Sequence, residues 1–148
     1  MAANFGKDFL TGIVQAYNIS HSNWTLHLLH NSSSAALSFN YNTTWGVTSA
    51  MESTFKGYNK VNLTTVGIAW DAVNRLVSFT SDPCVYSYST SASGTSAETA
   101  DAYVLENGGT FVFGEPIQPS VLFQRNGDQI TLDPSFNSFE DNSGNPDP

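Results

Sequence analysis

The chain has 148 residues, 40% of them hydrophobic and 13% aromatic, with five Lys and Arg against thirteen Asp and Glu and a formal net charge of −8. That length suits one domain with its own core, and a make-up rich in aromatics, Ser, Thr and Asn favours strands over helices. Its cations, Lys7, Lys56, Lys60, Arg75 and Arg125, are scattered, which excludes a nucleic-acid partner held through clustered phosphate contacts and a charge-driven hold on anionic lipid.

Residues 3–17 carry a helical pattern. Phe5, Phe9, Leu10, Ile13, Val14 and Tyr17 fall on one face, with Asn4, Lys7, Asp8, Thr11 and Gln15 opposite. Gly6 and Gly12 each weaken such a helix by about 1 kcal/mol relative to Ala, so it needs a surface to pack on. That surface is its own domain, a second copy of the chain or a membrane, and Phe5, Phe9, Ile13 and Tyr17 are the expected contact residues. A strand from Phe9 to Ile19 is the alternative. No basic stretch followed by an unbroken apolar run marks a secretory leader, and nothing approaches the ~18 apolar residues of a membrane-spanning helix. The expectation is a cytoplasmic protein, or one exported by another route or after losing a leader.

From Trp24 onward the pattern is that of short strands. Trp24, Leu26 and Leu28 alternate with Thr25 and His27, a polar turn follows at His30–Ser34, and Leu37, Phe39 and Tyr41 alternate in what reads as the returning strand of a meander. The stretch from Asn42 to Lys60 is irregular, with a bend or short strand at Trp45-Gly46 and a helical turn within Ser49–Lys56. Val61–Trp70 reads as a strand with a bulge at Gly67, followed by strands at Leu76–Thr80 and Cys84–Tyr88. Ser89–Ala100 has no large apolar side chain and reads as a mobile surface loop.

Two hairpins are expected. Tyr103–Leu105 and Thr110–Phe113 flank Asn107-Gly108-Gly109, residues that accept positive φ at little cost. Val121–Phe123 and Ile130–Leu132 flank Asn126-Gly127, which suits a two-residue type I′ turn. Pro116 and Pro119 keep 115–120 out of a central strand. The acidic tail after Phe139 has little to bury and is expected to fray. The resulting expectation is all-β: an antiparallel β-sandwich over 23–136, preceded by an amphipathic N-terminal helix and linker over 1–22 and followed by a disordered tail over 137–148.

Few residues suggest chemistry. Cys84 is the sole cysteine, so no internal disulfide forms, and a lone Cys without a basic neighbour reads as a small buried hydrophobe. His27 and His30 stand at a short ligand-like spacing, but residues three apart on a strand point to opposite faces and do not converge on a metal; His21 reads as a loop residue. Glu106 and Glu115, with Asp101 nearby, are read as solvated edge charges rather than a glycosidase pair. Neither a nucleophile elbow nor a phosphate-binding loop is present. No cofactor or metal is expected, and the chain reads as a non-enzyme. Five N-x-S/T triplets occur, at Asn18, Asn23, Asn31, Asn42 and Asn62; 14 Asn and 33 Ser and Thr produce about three by chance, so the excess is small.

Aromatic side chains are the more informative group. Tyr41, Trp45, Phe55, Tyr58, Trp70, Tyr86 and Tyr88 exceed what one face of a small sandwich holds. Tyr and Trp near turns present an apolar body and a polar tip, suited to sugar rings and lipid headgroups. Trp45, Tyr58, Trp70, Tyr86 and Tyr88 are the candidate ligand-binding residues, with Trp45 and Tyr58 expected to be the most exposed.

The order of features resembles the aegerolysins, small acidic β-sandwich proteins. It covers about 23–114: the Trp-led strand and turn Asn23–Ser32, then Trp45-Gly46, then Cys84, Ser93-Gly94-Thr95 and Tyr103–Phe111. The resemblance implies a β-sandwich that recognises membrane lipid. A helix ahead of a sandwich is also similar in layout to the actinoporin pore-formers and to the fungal immunomodulatory proteins, which dimerise through such a helix. Three functions are therefore expected in competition. The first is a non-enzymatic, membrane-lipid-binding or cytolytic defence-type protein. The second is a carbohydrate-binding lectin, and the third a dimeric interaction protein whose partner is itself or a receptor.

Overall fold

The computed structural model describes residues 24–31, 39, 43–63, 66–71, 76–134 and 136–138. Nine strands and one short helix are found among them: β1 (Trp24–Leu29), α1 (Trp45–Thr48) continued by a 3-10 turn (Ser49–Met51), β2 (Val61–Asn62), β3 (Val66–Asp71), β4 (Leu76–Ser81), β5 (Cys84–Ser87), β6 (Glu98–Asn107), β7 (Thr110–Phe123), β8 (Gln129–Leu132) and β9 (Phe136–Ser138). They form a four-stranded sheet ordered β2-β1-β6-β7, a three-stranded sheet β3-β4-β9 and a two-stranded sheet β5-β8. Every pairing between these strands is antiparallel. The all-β expectation holds. The N-terminal segment 1–22, with Phe5, Phe9, Ile13 and Tyr17, lies outside the described residues, as does the tail expected over 137–148 except for Asn137 and Ser138, which pair with β4 in β9.

Alternation places Trp24, Leu26 and Leu28 on one face of β1. There they join Tyr103 and Leu105 of β6, Phe123 of β7, Phe79 of β4, and Cys84 and Tyr86 of β5 in one buried cluster that draws on all three sheets. Full burial of each such Leu or Phe is worth about 1.5–3 kcal/mol. Phe55, from the irregular segment, completes it by stacking on Phe123 at 4.1 Å between ring centroids with the planes 4° apart. Cys84 is buried as expected, and burial, then Asp133 and Asp82, push its thiol up.

β1 is also buried on its other face. Leu29, Ala102 and Val104 form a second cluster there, covered by Phe39, Trp45, Met51 and Phe111. A Cβ at Gly114 would stand 3.0 Å from Phe39 ring carbons and from Val104 Cγ2, so the glycine leaves the room that Phe39 fills.

Several expectations are corrected. The second edge of β1 is occupied by 51–53 and 61–63: Leu29 bridges Glu52, Ser53 N–H reaches Leu28 O, and Val61 and Asn62 pair with Leu26 and Thr25. The returning strand expected over 37–41 lies, apart from Phe39, outside the described residues. Helix α1 occupies Trp45–Thr48, where a bend or short strand was expected, and the 3-10 turn Ser49–Met51 falls within the helical turn expected over 49–56. Gly67 makes no bulge, since β3 and β4 run in unbroken register from Val66↔Ser81 to Asp71↔Leu76. Gly67 sits instead beneath Thr80, whose Oγ1 would lie 2.6 Å from a Cβ there.

The Asn107 hairpin is found, with Gly108 and Gly109 both at positive φ (58° and 90°) between paired Asn107 and Thr110, as a type I′ turn requires. β7 runs through Pro116 and Pro119, but it is an edge strand, where a missing N–H is tolerated. Its ladder passes from Ala100↔Val121 to Ala102↔Pro116, so 117–120 stand out opposite Asp101 alone. Gly127 has the expected positive φ, 95°. The strands around it, however, do not pair with each other: Val121–Phe123 pair with β6 and Gln129–Leu132 with β5. Asp128 closes this corner by accepting the N–H groups of Gln124 and Arg125 at 2.8 and 2.7 Å.

The Ser-rich loop is anchored along the 54–57 backbone. Thr95 N–H donates to Thr54 O, Lys56 N–H to Thr95 O and Ser89 N–H to Lys56 O. Gly94 packs so closely that a Cβ would meet Thr54 O at 2.6 Å.

Candidate functional site

The second face of β1 carries Thr25, His27 and Leu29. On β6, Thr25 faces Glu106 and His27 faces Val104. Glu106 is thus the diagonal neighbour of His27 on the same face, within reach of a long side chain. On the other edge of β1, the Leu29–Glu52 bridge brings in a second carboxylate. His27 Nδ1 lies 2.8 Å from Glu52 Oε1, and Nε2 lies 3.4 Å from Glu106 Oε2. The His27 side chain is 1% exposed, those of Glu52 and Glu106 28% and 11%.

Three further groups complete the arrangement. The Trp45 indole lies over the imidazole at 4.1 Å between centroids, tilted by 40°. Tyr58 O–H donates to Glu52 Oε1 at 3.0 Å, while its oxygen accepts Leu28 N–H at 3.3 Å. Burial, then the Glu52 carboxylate, holds the Tyr58 phenol far above its ordinary range, so it remains a donor. Gly109 N–H donates to Glu106 Oε1, tying this carboxylate to the hairpin turn.

A buried histidine between two acids is costly to break, because losing one partner leaves a buried ring nitrogen without its hydrogen bond, a loss of about 1–3 kcal/mol. The arrangement can fix an indole and a partly exposed carboxylate side by side. One supplies a flat apolar face and the other accepts hydrogen bonds. Val47, two residues from Trp45, is 66% exposed.

The structure brings Trp45 and Tyr58 to this site, yet both are partly buried, which corrects their expected exposure: Trp45 packs on the Leu29–Val104 cluster and Tyr58 stacks on Tyr86 at 5.9 Å. Tyr86 and Tyr88 are core side chains. Their hydroxyls donate to Leu26 O at 2.7 Å and Ser96 O at 2.8 Å, and neither ring faces solvent. Trp70 lies in β3 opposite Val77.

Glu106 is buried, correcting its reading as a solvated edge charge. Glu115 is exposed and accepts the Tyr103 O–H. Asp101 accepts Asn31 N–H at 2.8 Å and Ser120 O–H at 2.7 Å. His30 has its own partner, with Nε2 3.9 Å from Glu98 Oε2. Among the described residues, no group of three or more His, Cys, Asp or Glu is arranged to hold a metal ion, and no helix is long and apolar enough to cross a membrane.

Sequence patterns did not reveal His27, Glu52 and Glu106 as one group. They lie 25 and 79 residues apart, and alternation assigns His27 to the outward face of a half-buried strand. The usable signal was the Glu-Asn-Gly-Gly turn, which fixes Glu106 at a strand end.

No protein-family model matches this chain, and neither does any curated protein or solved structure. The likeness to the aegerolysins rests on the residues quoted for it.

Proposed function

We propose that this chain is a non-enzymatic β-sandwich protein that binds a neutral glycan at Trp45. The observation that carries the reading is the half-buried indole seated on His27, with the partly exposed Glu52 carboxylate against the same imidazole. A fixed aromatic face suits the C–H surface of a sugar ring, and a carboxylate beside it accepts sugar hydroxyls. A chain of net charge −8 with scattered cations has no basic patch for an anionic ligand. The sandwich architecture is supported by one buried cluster shared by all three sheets.

A second reading, a zwitterionic membrane-lipid headgroup with a cytolytic role, is favoured by the exposure of Val47 beside Trp45 and by the aegerolysin-like order of motifs. A homodimer through 3–17 remains compatible with either ligand. A panel of immobilised glycans run beside liposomes of neutral and zwitterionic lipid tests both. Saturable retention on a subset of glycans is expected. Retention on liposomes alone replaces the first reading by the second, and retention on neither overturns both.

A further inference from the structure

We propose that His27 is a positioning residue of this site, held as an imidazolium between Glu52 and Glu106, and that in this charged state it seats the Trp45 ring, so that ligand capture fails when His27 gives up its second proton. The consequence for ligand rests on the reading of Trp45 as the binding platform; the clamp itself does not.

A neutral imidazole has one N–H donor and one bare acceptor nitrogen. Both ring nitrogens of His27 face carboxylate oxygens. Glu106 Oε1 already accepts Gly109 N–H, leaving Oε2 for Nε2. Glu52 Oε1 accepts Tyr58 O–H, whose oxygen in turn takes Leu28 N–H. Gly109 N–H and Tyr58 O–H thus both point at a carboxylate. A neutral His27 would therefore set a lone pair against a carboxylate oxygen at a side chain only 1% exposed, where water cannot screen the repulsion.

Among the described residues, charged groups reach the imidazole from two packed elements: Glu106 from β6, and Glu52 from the segment after the 3-10 turn, with neutral Tyr58 behind it. Helix α1 and strand β2 bring no titratable side chain. The indole lies within the ~6 Å at which a cation is attracted to an aromatic face. Losing one proton thus weakens both acid contacts and removes the cation beneath Trp45 in the same event.

The test uses the full chain. In protein with ¹⁵N-labelled histidine, the ring nitrogens of His27 are assigned by the signals lost in His27→Gln. In protein with 5-fluorotryptophan, the Trp45 ¹⁹F resonance is assigned by its loss in Trp45→Phe. Both ring nitrogens of His27 should carry protons at pH 7, and the Trp45 resonance should move with the same midpoint as His27 when the pH is raised. In Glu106→Gln the midpoint should fall. A bare ring nitrogen at pH 7, a Trp45 resonance indifferent to the titration, or an unmoved midpoint in Glu106→Gln would each overturn the proposal. If these NMR results hold while neither glycans nor vesicles bind at any pH, the clamp stands and the ligand reading fails.

Discussion

The imidazole of His27 and the indole of Trp45 lie 4.1 Å apart between ring centroids. Helix α1, four residues long, is too short to hold itself in water. Its position is set by this ring contact and by the Leu29–Val104 cluster beneath it. The indole is thereby fixed to the middle of a sheet strand rather than carried on a free loop, and a rigid aromatic loses little entropy when it binds.

Gly94 and Gly127 both have positive φ, 131° and 95°, but they differ in surroundings. A Cβ at Gly127 meets nothing within 4 Å, whereas at Gly94 it meets Thr54 O at 2.6 Å and Phe55 C at 2.7 Å. Gly127→Ala should cost about 1–2 kcal/mol, the strain of a left-handed residue. Gly94→Ala should exceed ~3 kcal/mol because backbone must also move. Denaturant unfolding of the two variants measures the difference, and equal losses would show that the loop is not anchored on 54–57.

Tyr86 is a core residue whose hydroxyl donates to Leu26 O at 2.7 Å. Tyr86→Phe should lower stability by about 1 kcal/mol, seen as a fall in Tm of roughly 2–4 °C for a chain of this size, and leave ligand binding unchanged. Lost binding at unchanged Tm would put the Tyr86 hydroxyl on the ligand surface.

Asp128 sits below the ordinary carboxylate range because it accepts the N–H groups of Gln124 and Arg125. Folding therefore favours its ionised form. The contribution is complete above the ordinary carboxylate range and is lost as pH falls through the lowered folded-state value. Asp128→Asn keeps an acceptor oxygen but not the charge. The Tm gap between wild type and this variant should close on acidification from neutral pH to about 2. A gap independent of pH would show that the charge does not hold the corner between β7 and β8.

Local turn chemistry was legible in the sequence, and strand partners were less so. Gly108-Gly109 correctly marked a hairpin because the strands on either side are each other's neighbours. Asn126-Gly127 marked a turn of the expected φ, yet its flanking strands enter different sheets, since pairing is decided by contacts with Glu98–Ala100 and Cys84–Ser87 that no local pattern encodes. Alternation in β1 identified the face of Trp24, Leu26 and Leu28. It could not show that His27 is covered as well, because the cover comes from Trp45 and Glu52, outside any regular pattern. Trp45 stood out by residue type alone; the acids that frame His27 had to be brought there by the fold.

The most direct measurement is titration of the retained glycan, or of the retained liposomes, with wild type and Trp45→Ala at low and high salt, each protein first shown to be folded by its melting curve. Truncating an aromatic anchor costs 2 kcal/mol or more, so affinity should fall at least ~30-fold in the variant. Wild-type affinity should change little with salt, which screens charges but not ring contacts. Full affinity in folded Trp45→Ala, or a steep loss of wild-type binding in high salt, would contradict a site built on Trp45.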